Sequence, residues 1–490
     1  MNKNSHATQP HTMPGQALPR AAPSERDVDP DAISAWLDSI EAAGLELHAM
    51  MLWRKDAVVA EGWRWPYQPR SRRMTHSVTK SVTACAIGLL LDEGRLSLDD
   101  RIAGFFPEAM PGASERAAQI TVRHLLEMRA GHGSEVSGSV WRGIDTSWTD
   151  EFFRIPVIDD PGTTYVYSSA ASYMLSAIVT KVTGETLHDY LRPRLFMPLG
   201  IHGEQWDLGP DGINPGGNGL SLTTEDMLRL GILHLQNGQW NGRAILPASW
   251  VAAATRPQGA PTYGYHWVVG DDYYAALGVF VQAVLVFPGQ ESVLVIQGAM
   301  ENSAAILPYI RQYFPHGFVA GGRASGDAGL RARLLAWKER PPISGCEEAG
   351  RAVAGTRWRV HANALGVCEI AFDGSPGMIG FTLVDAMGWY SVQCGLTEWI
   401  GGVSMMPGAS LHHGYPLRGT PIVAGARWVA ADHLELIWNF PETAFRDRVS
   451  IRFAGDRLTL DREVNMNSGS RRWPTLQADL MPALEGPAGA

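Results

Sequence analysis

Ser77-Val78-Thr79-Lys80 brings together a hydroxyl and an amine that can do chemistry. Residues three apart on a helix share a face, so the two side chains can meet. A serine hydroxyl is a weak nucleophile until a base takes its proton, and lysine is such a base only where burial or a nearby positive charge lowers its pKa. The residues that follow, Ala84, Cys85, Ala86, Ile87 and Leu89, supply dry surroundings. A helix N-terminus also offers N–H groups to an anion forming at the nucleophile. The plain alternative is a solvent-facing helix lysine. Against it, lysine stands only at positions 3, 55, 80, 181 and 338, the remaining basic residues being arginines, which keep their protons. A lysine in the most apolar helix of an arginine-using chain asks for a chemical reason.

A second candidate lies in Pro161-Gly162-Thr163 and Tyr165-Val166-Tyr167-Ser168-Ser169. A proline-glycine turn can deliver a tyrosine beside a helix start. Near a lysine ammonium, that phenol can ionise or relay a proton. Its alternative is simple packing.

The elements that must position these groups follow from periodicity. Asp31 to Ala43 reads as a helix capped by Asp29, and Leu47–Trp53 with Ala57–Trp63 as a strand hairpin. Ser77 to Glu93 is apolar nearly all round and so belongs at the centre. Helical stretches follow at Val122–Met128, Ala170–Val182, Thr224–Gln236 and Pro247–Ala254, then strands at Tyr263–Val269, Tyr273–Phe287 and Ser292–Ala299, then a helix at Ser303–Phe314. Strands from both ends of a segment with helices between them make an α+β domain, an antiparallel sheet flanked by helices plus a helical subdomain, over residues 31–316. Residues 1–30 read as a disordered leader, and 317–354 as a linker and a helix carrying Leu330, Leu334, Leu335 and Trp337. Short strand-like runs from 355 to 480 predict a small all-β barrel or sandwich, ahead of a frayed tail at 481–490. That module reads as packing on one side of the catalytic domain, or alternatively as a wall of its cleft.

At 490 residues the chain has room for two or three domains. With 41 basic and 50 acidic residues, a net charge of −9, it has no electrostatic reason to hold nucleic acid or an anionic membrane. No apolar run is long enough to span a bilayer, and no signal-peptide core is seen, so a cytoplasmic protein is expected. Cys85, Cys346, Cys368 and Cys394 have no metal or redox spacing. His132 and His412-His413 sit among Gly and polar residues, which predicts surface loops, so no metal is expected. G-x-S-x-G, H-E-x-x-H and G-x-x-x-x-G-K motifs are absent.

Order and setting together carry more than any one motif. His76-Ser77-Val78-Thr79-Lys80-Ser81 is followed by Asp92-Glu93-Gly94-Arg95-Leu96-Ser97-Leu98-Asp99-Asp100, Ile120-Thr121-Val122-Arg123-His124-Leu125-Leu126, Pro161-Gly162-Thr163 with Tyr167-Ser168-Ser169, and Gly219-Leu220-Ser221-Leu222-Thr223-Thr224-Glu225-Asp226-Met227. The segment from about Asp31 to Phe314 resembles the serine β-lactamase and penicillin-binding-protein superfamily, especially its class C-like esterases and amide hydrolases, nylon-oligomer amidases included. The resemblance implies Ser77 as acylated nucleophile, Lys80 as its proton acceptor and Tyr167 as the partner acid and base, with no cofactor. Two departures stand out. The family's Tyr-x-Asn is Tyr167-Ser168-Ser169 here, so a hydroxyl replaces the amide that helps hold a substrate carbonyl. The family's Lys or His before a small residue and Gly falls at Ala276-Leu277-Gly278-Val279, with Leu277 in the basic slot. In that register the N–H groups of Ser77 and Val279 form the oxyanion hole, Ser169 and Gly278 join Val279 as the expected substrate-binding and oxyanion residues, and Leu277 and Phe280 make an apolar wall.

Such a wall suits a neutral ester or amide, and the better leaving group of an ester makes esterase activity the first expectation. Alternatives are a catalytically weak binding or structural protein on the same scaffold, and a β-lactamase or D-amino-acid peptidase. The retained Ser77, Lys80 and Tyr167 argue against the first. The missing positive charge argues against the second.

Overall fold

The computed structural model describes residues 17–319, 324–346 and 352–482. They divide between two compact units, one running to Arg64 and resuming from Pro69 to Lys338, the other holding Trp65–Gln68 and the chain from Glu339 onward.

In the first unit, α1 (Pro30–Ala42) leads into a hairpin of β1 (Glu46–Arg54) and β2 (Ala57–Trp63). The sheet is completed from the far end of the unit by β3 (Val268–Val269), β4 (Tyr274–Gly278), β5 (Gln282–Phe287) and β6 (Ser292–Ala299), in the order β2-β1-β6-β5-β4-β3. Every labelled pairing is antiparallel. The seven central residues of β1 are all buried, because both faces of the sheet are covered. Ala49, Met51 and Trp53 join the core shared with α2 (Val78–Asp92), α3 (Ser169–Thr183) and α4 (Thr224–Leu235). Leu47, Met50 and Leu52 join the opposite core with α1, α5 (Leu307–Gly317) and α6 (Asp327–Ala336). The period of two thus feeds two separate cores. α4 lies close on the sheet through Gly231, where a Cβ would stand 2.5 Å from Val293 Cγ1 and 2.7 Å from Val284 Cγ1.

Several expectations are corrected. The run Tyr273–Phe287 is two strands, since Val279–Val281 turns the chain; Phe280 and Val281 have φ of 61° and 62° without a glycine or asparagine to mark the turn. Only Val268–Val269 of the Tyr263–Val269 run is strand. Part of the leader, residues 17–29, is packed on the unit: Leu18 and Val28 are buried, and Arg20 pairs with Glu61 and Glu225. Residues 1–16 lie outside the described residues, as do 320–323 of the linker and 483–490 of the tail. Of residues 317–354, read as a linker and a helix, Gly317 is the last residue of α5, and the helix is α6, starting at Asp327.

The second unit is all β. Its strands are β7 (Arg357–Val360), β8 (Glu369–Ser375), β9 (Met378–Asp385), β10 (Gly388–Gly395), β11 (Ile400–Ser404), β12 (Thr420–Ala430), β13 (His433–Asn439), β14 (Arg446–Ala454), β15 (Arg457–Val464) and β16 (Leu476–Leu480). They pair in the order β10-β9-β8-β7-β16-β15-β14-β13-β12-β11, and a parallel bridge from Gly395 to Gly425 joins β10 to β12, curling the sheet into a barrel. His412, expected on the surface, is buried here: its Nε2 lies 2.7 Å from Asp447 Oδ1, and Arg462 donates to Asp447 Oδ2 from Nε at 3.0 Å and Nη2 at 2.5 Å. His132 of the first unit is likewise buried, edge-on to Phe152. Histidine in a glycine-rich stretch says nothing about what folds over it.

Candidate active site

Ser77 stands at the N-cap of α2, in helical conformation, so Lys80 follows on the same face one turn later. Almost the whole of α2 is buried, Lys80 included. With no solvent at hand, its amine must find partners inside the protein. It is within 3.2 Å of Ser77 Oγ and 3.1 Å of Ser169 Oγ, and it donates to the Gly217 carbonyl at 2.9 Å. Burial drives the Lys80 pKa down to about 7, against the opposing pull of Glu135.

Tyr167 enters two residues ahead of α3, which Ser168 caps by accepting the Ala171 N–H. Its hydroxyl is hydrogen-bonded with Ser77, and the Lys80 amine sits 4.7 Å from the centre of its ring. Burial pushes the Tyr167 pKa well up, while the bond to Ser77 works the other way. Near neutrality, therefore, the phenol keeps its proton and Lys80 is the group at balance. His266 also lines the site, bonded to Ser172 Oγ at 3.0 Å; burial, and then the nearby Lys80, press its pKa down to about 3.

The end of β4 closes the other side. A Cβ on Gly278 would run into the Thr75 carbonyl oxygen and come within 3.2 Å of the Ser77 nitrogen, so only glycine lets the strand lie this close to the start of α2. Next to Ser77, His76 has φ of 49°, an uncommon conformation outside glycine. Its ring meets Phe280 edge-on at 5.4 Å, tying the residue before Ser77 to the turn after Val279.

Between these walls is a cavity of about 220 Å³ lined by Ser77, Lys80, Tyr167, Gly278 and Val279, with Leu277, Val268, Ala275, Tyr263, His266 and Ser303. Five of the six predicted site residues line it; the sixth, Ser169, meets it through Lys80. Leu277 lines the cavity as expected, but Phe280 does not, because its ring is buried against His76. Of the lining side chains only Lys80 can carry a positive charge near neutral pH, His266 being held neutral. Sequence reasoning missed Gly217, Tyr263, His266, Ser303 and the carboxylate of Glu135. Gly217, Tyr263, His266 and Glu135 come from loops and Ser303 from the start of a short 3-10 helix, where no periodicity or spacing links them to Ser77. Among the described residues, no group of three or more His, Cys, Asp or Glu side chains could hold a metal ion, and no helix is long and apolar enough to cross a membrane.

A sheet fed from both ends of a unit, helices on both faces and an S-x-x-K helix under a strand edge define a class. Residues 38–298 match the beta-lactamase family model, and the chain belongs to the beta-lactamase family. Penicillin-binding protein 4 of Amycolatopsis lactamdurans is 30% identical over 207 residues, 36% of this chain and 54% of that protein. The 6-aminohexanoate-dimer hydrolase of Paenarthrobacter ureafaciens is 26% identical over 323 residues, 57% of this chain and 82% of its own. Among solved structures, a Bacillus anthracis protein described as a 6-aminohexanoate-dimer hydrolase superposes with a TM-score of 0.50 at 18% identity, covering 65% of this chain and 86% of that one. The last likeness is one of fold.

Proposed function

We propose that this chain is a serine hydrolase that cleaves a carboxylic ester, or an amide, with an uncharged acyl group through an acyl-enzyme on Ser77. The observation that carries the reading is a buried amine, held near a pKa of 7, at hydrogen-bond distance from a serine hydroxyl. Neutral Lys80 takes the Ser77 proton as Oγ attacks the substrate carbonyl. The N–H groups of Ser77 and Val279 receive the developing oxyanion. The proton reaches the leaving group by way of Lys80 and the Tyr167 hydroxyl, and the bond from the acyl carbon to that group breaks. Water then attacks the acyl carbon, yields its proton to the same groups and frees Ser77. Ser169 holds the Lys80 amine on this path.

The cavity supports the substrate class. Leu277, Val268 and Ala275 give the acyl group apolar contacts, and the lining offers a substrate carboxylate no cation besides Lys80, which is engaged in proton transfer. A lactam antibiotic or peptide bearing a carboxylate is therefore a poor fit. Amide cleavage is the second reading, favoured by the likeness to the 6-aminohexanoate-dimer hydrolase over more than half of this chain.

Intact-protein mass spectrometry after exposure to a fluorophosphonate and to a panel of p-nitrophenyl esters tests the proposal, with Ser77→Ala and Lys80→Ala alongside. Wild type should carry one adduct, on Ser77, and Ser77→Ala none. Lys80→Ala should lose about a thousandfold in acylation rate. No adduct, and no turnover of any ester or anilide, would sink the hydrolase reading and leave a binding protein.

A further inference from the structure

Glu135 belongs to none of the catalytic motifs, yet it is bonded into the site. Its Oε2 accepts the Ser169 N–H at 2.5 Å, and its Oε1 accepts the Ser137 N–H at 2.7 Å together with the Ser137 hydroxyl. Ser137 Oγ in turn accepts the Ala170 N–H at 2.7 Å. Those Ser169 and Ala170 N–H groups open α3, where the helix has no carbonyls of its own to offer them. Glu135 and Ser137 thus clamp the first turn of α3 from outside. The other end of Ser169, its Oγ, is 3.1 Å from Lys80 Nζ. A carboxylate is one residue away from the amine it does not touch.

We infer that, on the acyl-enzyme reading proposed above, Glu135 is a positioning residue: it holds the Ser169 hydroxyl on the Lys80 amine and supplies the negative charge that favours the proton there once Ser77 has given it up. The surrounding groups leave that role to Glu135. Tyr167 and Tyr263 are pushed up by burial and keep their protons. His266 is pressed down to about 3, and His132, beside Glu135, to about 4, in both cases chiefly by burial, so neither is charged at neutral pH. Glu135 is the charge that opposes burial at Lys80 and acts on Tyr167 as well. Without it, the ammonium formed during acylation loses its counter-charge, and the amine holds its proton less tightly.

The chain has five lysines, so the Lys80 signal can be read directly in protein labelled with ¹³C and ¹⁵N lysine and identified by its loss in Lys80→Ala. Glu135→Gln should lower the Lys80 midpoint by about one pH unit. The acid limb of the p-nitrophenyl ester burst should move down by the same amount. Ser137→Ala keeps the charge and loosens the clamp, so a smaller shift in the same direction is expected. A Lys80 midpoint unmoved in both variants, with near-ultraviolet circular dichroism confirming the fold, overturns the inference. So does an acid limb that moves while Lys80 does not. Because the lysine signal is read without substrate, a protein that cleaves no ester or amide defeats the hydrolase reading while this test still gives its own answer.

Discussion

At the scale of single residues, the proposed chemistry turns on Lys80. Its pKa of about 7, against 10.5 for a free lysine side chain, sets two expectations. Acylation of Ser77 should be slow in acid and rise as the pH passes through about 7, when Lys80 sheds its proton; a burst that is flat from pH 5 to 9 would show that another group is the base. The same shift bears on stability. Between pH 10 and 7 the unfolded chain keeps the Lys80 proton while the folded one releases it, so folding grows less favourable as the pH falls across that window and levels off below it. Lys80→Met should therefore be inactive yet more stable near pH 7, with an upper bound of about 5 kcal/mol before the lost hydrogen bonds are counted. Its advantage should fade toward pH 10. Denaturant titrations of both proteins at pH 6, 8 and 10 check the sign: an advantage that grows with pH contradicts it.

At the scale of elements, the site depends on how closely β4 approaches the start of α2. Gly278→Ala puts a methyl against the Thr75 carbonyl, which must move, and the Val279 N–H moves with it. The expected result is a fall in kcat of about a hundredfold or more, with little change in KM for a small ester. Gly231→Ala is the companion case. Its methyl meets Val293 and Val284 across the α4–sheet contact, so it should cost about 1–3 kcal/mol of stability and leave the Ser77 adduct intact. If the two variants lose activity alike, proximity to Ser77 is not what matters at Gly278. The same elements show what could be read beforehand. α2 declared itself by an apolar run too continuous for a surface helix, and β1 and β6 by runs covered on both faces. The reversal at Val279–Val281 stayed hidden, because valine and phenylalanine are the residues least expected at positive φ. Glu135 was invisible for another reason. A lone carboxylate in Gly133–Gly138 acquires meaning only when α3 ends its approach beside it. Ser77 and Lys80 could be paired from their spacing of one helical turn, whereas Tyr167 joined them only through the order of motifs in the family resemblance, its turn alone being equally consistent with packing.

At the scale of the whole molecule, the two units rest on different devices. The first has two apolar cores, one on each face of its sheet. The second adds a buried ionic group. Burial alone would raise the Asp447 pKa, but His412 and Arg462 outweigh it and hold it below the usual carboxylate range. Such a carboxylate stabilises fully above its unfolded pKa, and its support is lost as the pH falls through the lower folded value. Asp447→Asn strands the Arg462 guanidinium and should cost the second unit about 3–5 kcal/mol. Calorimetry should show one transition moving to lower temperature, with the Ser77 adduct still forming at 25 °C; a loss of the adduct would mean that the units do not unfold separately. The barrel has a further consequence. Its neighbouring strands are zipped by ladders of several residue pairs, whereas β10 meets β12 only at Gly395 and Gly425. The sheet order thus ends at β10 and β11, and that single bridge is what closes it. What remains is one seam, where deuterium from the solvent should enter the barrel first and from which any unravelling should start.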